Sequence, residues 1–354
     1  MTISRQDRLE FLERKALSHV LVLDGAMGTQ IQDLKFDEVA FRGGRFADWN
    51  QPLAGNNDLL NLTQPEAIGA IHGRYFEAGA DIVESNTFSS TAIAQADYGL
   101  EAHAADIAAA GARLARLAAD AAETEERPRA VAGAIGPTSK TLSISPDVND
   151  PGSRAASFDD IHASYLEQAR AMASHVDFFL VETMFDTLNG KAAIKALLDH
   201  RDEYGEIIPV LLSGTIPDAS GRTLSGQTTA AMWNSIRHAN PWAVGFNCAL
   251  GAKQLRAHVA EIARVADTRI LAYPNAGLPN EMAEYDELPE ETAVHLTEWA
   301  SSGLVNIVGG CCGTTPAHIA AIAKGVAGTR PRPPAPPQPV AMRLSGLEPF
   351  DIAG

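Results

Sequence analysis

Short apolar runs alternate with longer segments of helical periodicity along most of the chain. The apolar runs cover residues 20–26, 82–88, 130–137, 177–184, 209–216, 243–249, 270–277 and 305–312. Most begin as continuous stretches of apolar residues, which is typical of parallel strands buried on both faces. The segments with helical spacing follow these runs and cover residues 65–80, 93–123, 158–174, 188–205, 228–240, 252–266, 291–302 and 316–327.

This alternation predicts the fold class. Eight strand–helix units at this spacing are expected to close into an α/β fold, the (β/α)8 TIM barrel. A doubly wound sheet is the alternative, but no Gly-x-Gly-x-x-Gly sequence follows the first run. Near the N-terminus, apolar residues recur at helical spacing and predict a helix packed on the barrel. These residues are Leu9, Leu12, Ala16 and Leu17.

The pattern changes at about residue 328. Residues 1–328 contain all of the strand–helix units and are predicted to form the barrel domain. Residues 329–354 begin with a Pro-rich segment, which predicts an extended linker, and end in the short apolar tail "MRLSGLEPFDIAG". Such a tail is expected either to dock on a partner or to begin a following module.

Two of the predicted loops exceed the usual length of two to six residues. They cover residues 27–62 and 138–157, after the first and third strands. Both leave the C-terminal ends of strands, where barrel active sites are built. The loops are therefore predicted to form part of a functional site.

The composition excludes several classes of function. The 354 residues are 45% hydrophobic, and 28 Lys and Arg against 44 Asp and Glu give a net charge of −16. Such an acidic surface repels nucleic acid and anionic membranes, so neither is an expected partner. No apolar run approaches the length of a membrane helix, and no secretory signal is present. An odd number of cysteines in such a chain predicts a cytoplasmic location.

The predicted strand ends carry polar residues. The C-terminal ends of barrel strands share one rim, so these residues are expected to lie close together as candidate substrate-binding groups. In chain order they are Asp24 with the following turn Gly25, Ala26 and Met27, then Glu84, Glu182 and Asn275.

All three cysteines also fall at this rim. Cys248 follows the sixth strand, and Cys311 and Cys312 follow the eighth. A buried structural role is common for a single cysteine such as Cys248. Three thiolates from neighbouring strands instead suit Zn²⁺, which prefers tetrahedral sulfur and nitrogen ligands. No fourth ligand is evident at the rim, and three protein ligands with one open position are typical of a catalytic zinc site.

The adjacent pair Cys311 and Cys312 raises a geometric problem, because successive side chains on a strand point to opposite faces. Gly309, Gly310 and Gly313 are expected to permit a bend that brings both thiols to one metal. The alternative interpretation is that this glycine-rich segment, which precedes a helix, binds a phosphate.

A zinc ion with three thiolates is a weak Lewis acid and suits a soft fourth ligand such as a substrate thiol. A free thiol has a pKa of about 8.5 and is mostly protonated at neutral pH, whereas coordination deprotonates it. The thiolate is a nucleophile, so alkyl transfer to sulfur is the predicted reaction. Asp24 and Glu182 suit a substrate ammonium group, and the backbone N–H groups of the Gly25–Met27 turn suit a carboxylate. The predicted substrate is therefore an amino acid with a thiol.

Several segments resemble the homocysteine-binding module of cobalamin-dependent methionine synthase, in the zinc-dependent homocysteine S-methyltransferase family. The resemblance covers residues from about 8 to 328 and includes "LDGAMGTQIQ", "NNDLLNLTQPEAI", "GADIVESNTF", "VETMFDTLNGKAAI", "GFNCALG", "YPNAGLP" and "VNIVGGCCGTTPAHI".

The resemblance implies a role for each candidate residue. Cys248, Cys311 and Cys312 would bind zinc, and the homocysteine sulfur would be the fourth ligand. Asn275 would occupy that position when substrate is absent. Asp24 and Glu182 would hold the amino group of homocysteine, and the turn at Ala26 and Met27 would hold its carboxylate.

The resemblance also implies the methyl donor, methylcobalamin, carried by a folate and cobalamin module that is either a separate polypeptide or a continuation of this one. The segment "LSGLEPF" in the tail resembles the start of a folate module. Two alternatives remain at this point. The protein could use betaine or S-methylmethionine without a partner, or it could be a scaffold with structural zinc that docks a partner through its tail.

Overall fold

A computed structural model of the chain describes residues 3–282, 284–336 and 338–353. Its main sheet has eight strands. They are β1 (Leu21–Val22), β2 (Ile82–Glu84), β3 (Ala130–Ile135), β4 (Phe178–Met184), β5 (Val210–Gly214), β6 (Ala243–Gly251), β7 (Arg269–Asn275) and β8 (Ile307–Val308).

The strands form a parallel barrel. Their order is β1-β8-β7-β6-β5-β4-β3-β2, and every pairing in this sheet is parallel. A parallel bridge between Leu23 and Ile82 joins the two ends of this order. The TIM-barrel prediction is therefore confirmed, and the doubly wound alternative is wrong because such a sheet has two free edges.

Helices surround the barrel. They are α1 (Arg5–Ala16), α2 (Met27–Asp33), α3 (Glu38–Arg42), α4 (Leu60–Thr63), α5 (Pro65–Ala78), α6 (Ala92–Gln95), α7 (Ala104–Ala122), α8 (Phe158–Met172), α9 (Thr187–Tyr204), α10 (Thr229–Ile236), α11 (Ala252–Val265), α12 (Pro289–Ser301) and α13 (Pro316–Val326). Segment 93–123, predicted as one helix, is broken between α6 and α7, where Gly99 adopts a left-handed φ of 67°. Within the described residues, no helix is long and apolar enough to cross a membrane.

The barrel interior is filled with side chains. Leu21, Leu180, Leu211 and Leu271 belong to one inner cluster of buried residues, and a larger cluster lies between the strands and the surrounding helices. A filled interior leaves the rim at the C-terminal ends of the strands as the place for a functional site.

The predicted N-terminal helix is α1, which lies against the opposite end of the barrel. Leu12 and Ala16 are buried, whereas Leu17 lies beyond the helix and is exposed. Arg8 donates to Asp177 across 2.8 Å, next to the start of β4. The side chain of Arg8 is itself buried, so α1 is held by a buried ion pair as well as by apolar contacts.

The C-terminal tail lies against the barrel. Its end forms an antiparallel hairpin of β9 (Ala341–Ser345) and β10 (Pro349–Ala353), which packs on α10. The hydroxyl of Ser345 donates to the carbonyl of Ala231 at 2.6 Å. Before the hairpin, the buried guanidinium of Arg332 donates to the carbonyls of Ala263 and Ala266 near the end of α11. The sequence analysis predicted the apolar tail but not the hairpin.

Candidate metal centre and substrate cleft

The three thiols converge at the rim. Cys248 lies near the end of β6, and Cys311 and Cys312 lie in the turn after β8. The three Sγ atoms lie within 4.8 Å of one another, with 3.7 Å between those of Cys248 and Cys312. Tetrahedral Zn²⁺ with Zn–S bonds of ~2.3 Å requires sulfur atoms about 3.8 Å apart. The thiols therefore have the spacing and the chemistry of a zinc site.

A backbone kink in β6 directs Cys248 toward the other two thiols. Cys248 and Ala249 have φ angles of 61° and 56°, in the left-handed region that residues with a Cβ rarely occupy. The pairing of β6 with β7 shifts register here, between Asn247 and Gly251. Each left-handed residue costs roughly 1–2 kcal/mol, so the surrounding fold holds strain at the metal centre.

The glycines around the cysteine pair follow the prediction only in part. Only Gly313 has a positive φ, of 81°. Gly309 and Gly310 instead allow close packing, because an added Cβ would lie 2.8 Å from Leu23 Cβ or 2.4 Å from Thr314 Oγ1. β8 already ends at Val308, so the cysteines lie in a turn and the alternation of a strand does not apply to them.

The hydrogen bonds of this segment argue against the phosphate interpretation. A phosphate site needs free backbone N–H groups. Here the N–H groups of Gly310, Cys311 and Gly313 all donate to protein acceptors. Their partners are the Asp24 carbonyl, the Pro274 carbonyl and the Thr29 hydroxyl.

The candidate carboxylates lie together at the inner end of the cleft. The Glu84 N–H donates to Asp24 Oδ2 at 3.1 Å, while Asp24 Oδ1 and Glu84 Oε1 are buried without a partner. Burial raises the pKa of Asp24, Glu84 and Glu182 above their usual range. Repulsion from Glu182 adds to the effect at Asp24 and Glu84, whereas Cys312 and Asp58 add to it at Glu182. A cation bound beside these groups would favour their ionised forms and offset the cost of their burial.

The cleft above these groups is large and acidic. Its volume is about 1230 Å³, more than the ~300–1,000 Å³ of a typical small-molecule pocket. Both long loops contribute to it, with Asp58 from 27–62 and Thr138 from 138–157. Among the described residues that line the cleft, every charged side chain is acidic: Asp33, Asp58, Glu84, Asp97, Glu182 and Glu284.

The turn after β1 also faces the cleft, through Gly25, Ala26 and Met27. The Ala26 N–H, expected to bind a carboxylate, already donates to Thr314 Oγ1 at 3.1 Å. The Met27 N–H lies in the first turn of α2, where backbone donors have no intrahelical acceptor. Binding of a carboxylate at this turn stays a prediction.

Asn275 lies at the end of β7 and is 1% exposed. Its Nδ2 donates to the Tyr285 hydroxyl at 3.4 Å, and its Oδ1 is buried without a partner. An amide oxygen with no hydrogen bond is unusual in a protein interior and is a suitable ligand for a metal or a substrate N–H.

Three further residues near the site, Asp58, Tyr273 and Tyr285, were not predicted from the sequence. Asp58 accepts hydrogen bonds from the Ser89 N–H and the Ser90 hydroxyl, and burial raises its pKa to about 6. Tyr273 precedes Asn275 by two positions on β7, so the period of a strand places both on one face. Tyr285 lies in the irregular loop after β7, where no periodicity could indicate its position.

Comparison with known proteins identifies the class. The family model described as homocysteine S-methyltransferase matches residues 21–326, and the chain belongs to this family. It is therefore a methyltransferase, and the interpretation as a scaffold without enzymatic activity is not supported.

Solved structures with the same fold include the homocysteine methyltransferase MmuM from Escherichia coli. Its metallated form has a TM-score of 0.69 at 23% identity, covering 90% of this chain and 99% of that chain. Its oxidized form has a TM-score of 0.69 at 22% identity with the same coverage. Its apo form has a TM-score of 0.64 at 21% identity, again covering 90% and 99%. At this level of identity the comparison establishes the shared fold.

Proposed function

We propose that the protein is a zinc-dependent homocysteine S-methyltransferase that produces methionine. The observation that carries this proposal is the group of three thiols at tetrahedral spacing directly beside buried carboxylates that have no cationic partner. The thiols account for binding of a soft metal, and the carboxylates account for binding of an ammonium group. An amino acid with a thiol satisfies both.

Cys248, Cys311 and Cys312 would hold the zinc. Hydrogen bonds from the Cys248 and Cys311 thiols hold the pKa of the Cys312 thiol well below its usual range, so one thiolate is favoured before metal binds. Zinc held there would supply positive charge that favours the thiolate form of the homocysteine sulfur. A structural relative is described as the metallated form of a homocysteine methyltransferase, which supports a bound metal in this protein as well.

The protein groups around the centre orient the substrate. Asp24, Glu84 and Glu182 would bind the ammonium group of homocysteine, which supplies the missing positive charge. The backbone N–H groups from Met27 onward would bind its carboxylate. These contacts fix the amino acid so that its sulfur faces the three thiols and the open cleft, from which the methyl group arrives.

We propose methylcobalamin as the methyl donor, carried by a folate and cobalamin module outside this barrel. The large cleft supports a bulky donor. The tail hairpin supports a protein partner, because it presents an apolar face that the barrel does not cover. This face consists of two cross-strand pairs, Leu344 with Phe350 and Met342 with Ile352, each residue 45% to 60% exposed.

A second candidate donor is a small sulfonium or quaternary ammonium compound such as S-methylmethionine or betaine. The acidic lining of the cleft favours it, because such donors carry a positive charge next to the transferred methyl group. This alternative leaves the reaction at sulfur unchanged and requires no partner.

A methyl-transfer assay with each donor separates the two candidates. The protein would be given homocysteine with S-methylmethionine, with betaine, or with a methylcobalamin-loaded partner module, and methionine would be measured. We expect turnover with the corrinoid module and a loss of that turnover in Phe350→Ser. Turnover with S-methylmethionine alone would contradict the choice of donor, and turnover with none of the three would contradict the proposed activity.

A further inference from the structure

The amide of Asn275 has two chemically different ends, and only one of them is engaged. Nδ2 donates to the Tyr285 hydroxyl, while Oδ1 is buried without a partner. An amide oxygen can bind a metal, whereas an amide nitrogen, which carries two hydrogens and no free lone pair, cannot. The orientation of this amide therefore decides whether Asn275 can serve as a ligand.

Tyr285 packs against the turn that carries the cysteines. Gly313 directly follows Cys312, and a Cβ added to Gly313 would lie 2.3 Å from Tyr285 Cβ. The absence of a side chain at this position lets the tyrosine approach the thiols.

We propose that Tyr285 is a positioning residue that selects one orientation of the Asn275 amide. The Tyr285 oxygen accepts the Nδ2 hydrogen bond, which leaves Oδ1 free to occupy the fourth metal position until the substrate sulfur replaces it. The inference rests on the proposed zinc site. Tyr285 would then control the step in which the substrate sulfur replaces the Asn275 oxygen at the metal.

Loss of the Tyr285 hydroxyl should change the affinity of the protein for homocysteine. In the resting protein the amide oxygen competes with the substrate sulfur for one position. Removal of the Tyr285 hydroxyl leaves the amide free to rotate, which weakens this competition. The effect should be the size of one neutral hydrogen bond, which corresponds to about fivefold in affinity.

Cobalt-substituted protein provides a readout that is independent of turnover, because the visible absorption of Co²⁺ reports its ligands. We would compare wild type, Tyr285→Phe, Asn275→Ala and the double variant, each at one Co²⁺ per chain, with and without homocysteine. Tyr98→Phe, a tyrosine elsewhere in the same cleft, is the matched control.

We expect Tyr285→Phe to change the substrate-free spectrum in the same sense as Asn275→Ala, and to strengthen homocysteine binding about fivefold. The two homocysteine-bound spectra should equal that of wild type, and the double variant should match Asn275→Ala alone. Tyr98→Phe should leave every spectrum unchanged.

Additive effects of the two substitutions would overturn the positioning role, as would a Tyr285→Phe spectrum altered equally with and without homocysteine. A separate outcome concerns the proposed zinc site itself. If wild type responds to homocysteine with no spectral change, the proposed zinc site is itself wrong, and Tyr285 has no ligand exchange to control.

Discussion

Asp24 and Glu84 are joined by a hydrogen bond from the Glu84 N–H to Asp24 Oδ2 at 3.1 Å, yet each keeps a buried carboxylate oxygen without a partner. Unpaired buried acceptors destabilise a fold. Their presence at the candidate substrate site indicates that the protein gives up stability to bind a cation, as expected for a preorganised site.

The first prediction follows from this relationship. Asp24→Asn removes an ionisable group whose burial is costly, so the free energy of unfolding without substrate should rise by about 1–3 kcal/mol. The affinity for homocysteine should fall at least about tenfold, since the ammonium group loses a carboxylate partner. Chemical denaturation and calorimetric titration measure the two effects.

The exposed Glu125 in a surface turn gives the control for that experiment. Glu125→Gln should change neither quantity by more than about 0.5 kcal/mol. If Asp24→Asn lowered stability and left homocysteine binding intact, the carboxylate would have a structural role instead.

The second prediction concerns pH. Burial raises the pKa of Asp58 to about 6, above an unfolded value of about 3.9. The folded state then binds a proton more tightly than the unfolded state, so the associated stability is fully present below about pH 4 and is lost as pH rises through about 6. Asp58→Asn, which cannot ionise, should remove this dependence.

Denaturation of wild type and Asp58→Asn at several pH values measures the effect. Wild-type stability relative to the variant should fall by about 2–3 kcal/mol between pH 4 and pH 7. Asp202→Asn, at an exposed position, is the control for the substitution itself and should change stability by no more than about 0.5 kcal/mol. A relative stability of wild type that rises with pH would refute the assigned direction.

The third prediction tests the close approach of Gly313 and Tyr285. Gly313→Ala places a Cβ 2.3 Å from Tyr285 Cβ at a φ of 81°. Gly328 has a similar φ of 75° with open space around it. Gly328→Ala should therefore cost only about 1 kcal/mol of strain, whereas Gly313→Ala should cost at least about 3 kcal/mol and weaken metal binding. Equal losses of stability in the two variants would mean that the tyrosine contact contributes nothing.

The fourth prediction tests the strained kink in β6. Ala249 has a φ of 56°, a conformation that glycine adopts without penalty. Ala249→Gly should keep or raise the free energy of unfolding by up to about 1 kcal/mol. Ala249→Val should lower it by at least about 1 kcal/mol, because β-branched residues tolerate this region least. The opposite ranking in denaturation experiments would argue against the kink.

The residues at the rim of the barrel could be predicted from the sequence, because their positions at the ends of strands place them there. Cys248, Asn275 and Glu182 each come at the end of an apolar run, and parallel strands bring such ends together. The same reasoning assigned the bend at the cysteines to Gly309, Gly310 and Gly313, of which only Gly313 has a left-handed φ. A left-handed residue such as Cys248 is imposed by tertiary packing, and no local sequence signal reports it.

Two other features depended on long-range contacts. Tyr285 reaches the thiols through an irregular loop, so its role could not be read from spacing. In the tail hairpin, apolar Met342 and Leu344 alternate with polar residues, which is typical of a strand. The preceding proline-rich segment instead favoured the prediction of an extended linker. Its hydrogen bonds to α10 define where it packs.

X-ray absorption at the zinc edge, with and without homocysteine, reports the ligands of the metal at the three thiols. We expect three sulfur ligands and one lighter ligand in the substrate-free protein, and four sulfur ligands after homocysteine is added. Cys312→Ser should lose the metal or keep only two protein sulfur ligands. An identical wild-type spectrum before and after homocysteine addition would contradict the claim that substrate sulfur completes the three-thiol site.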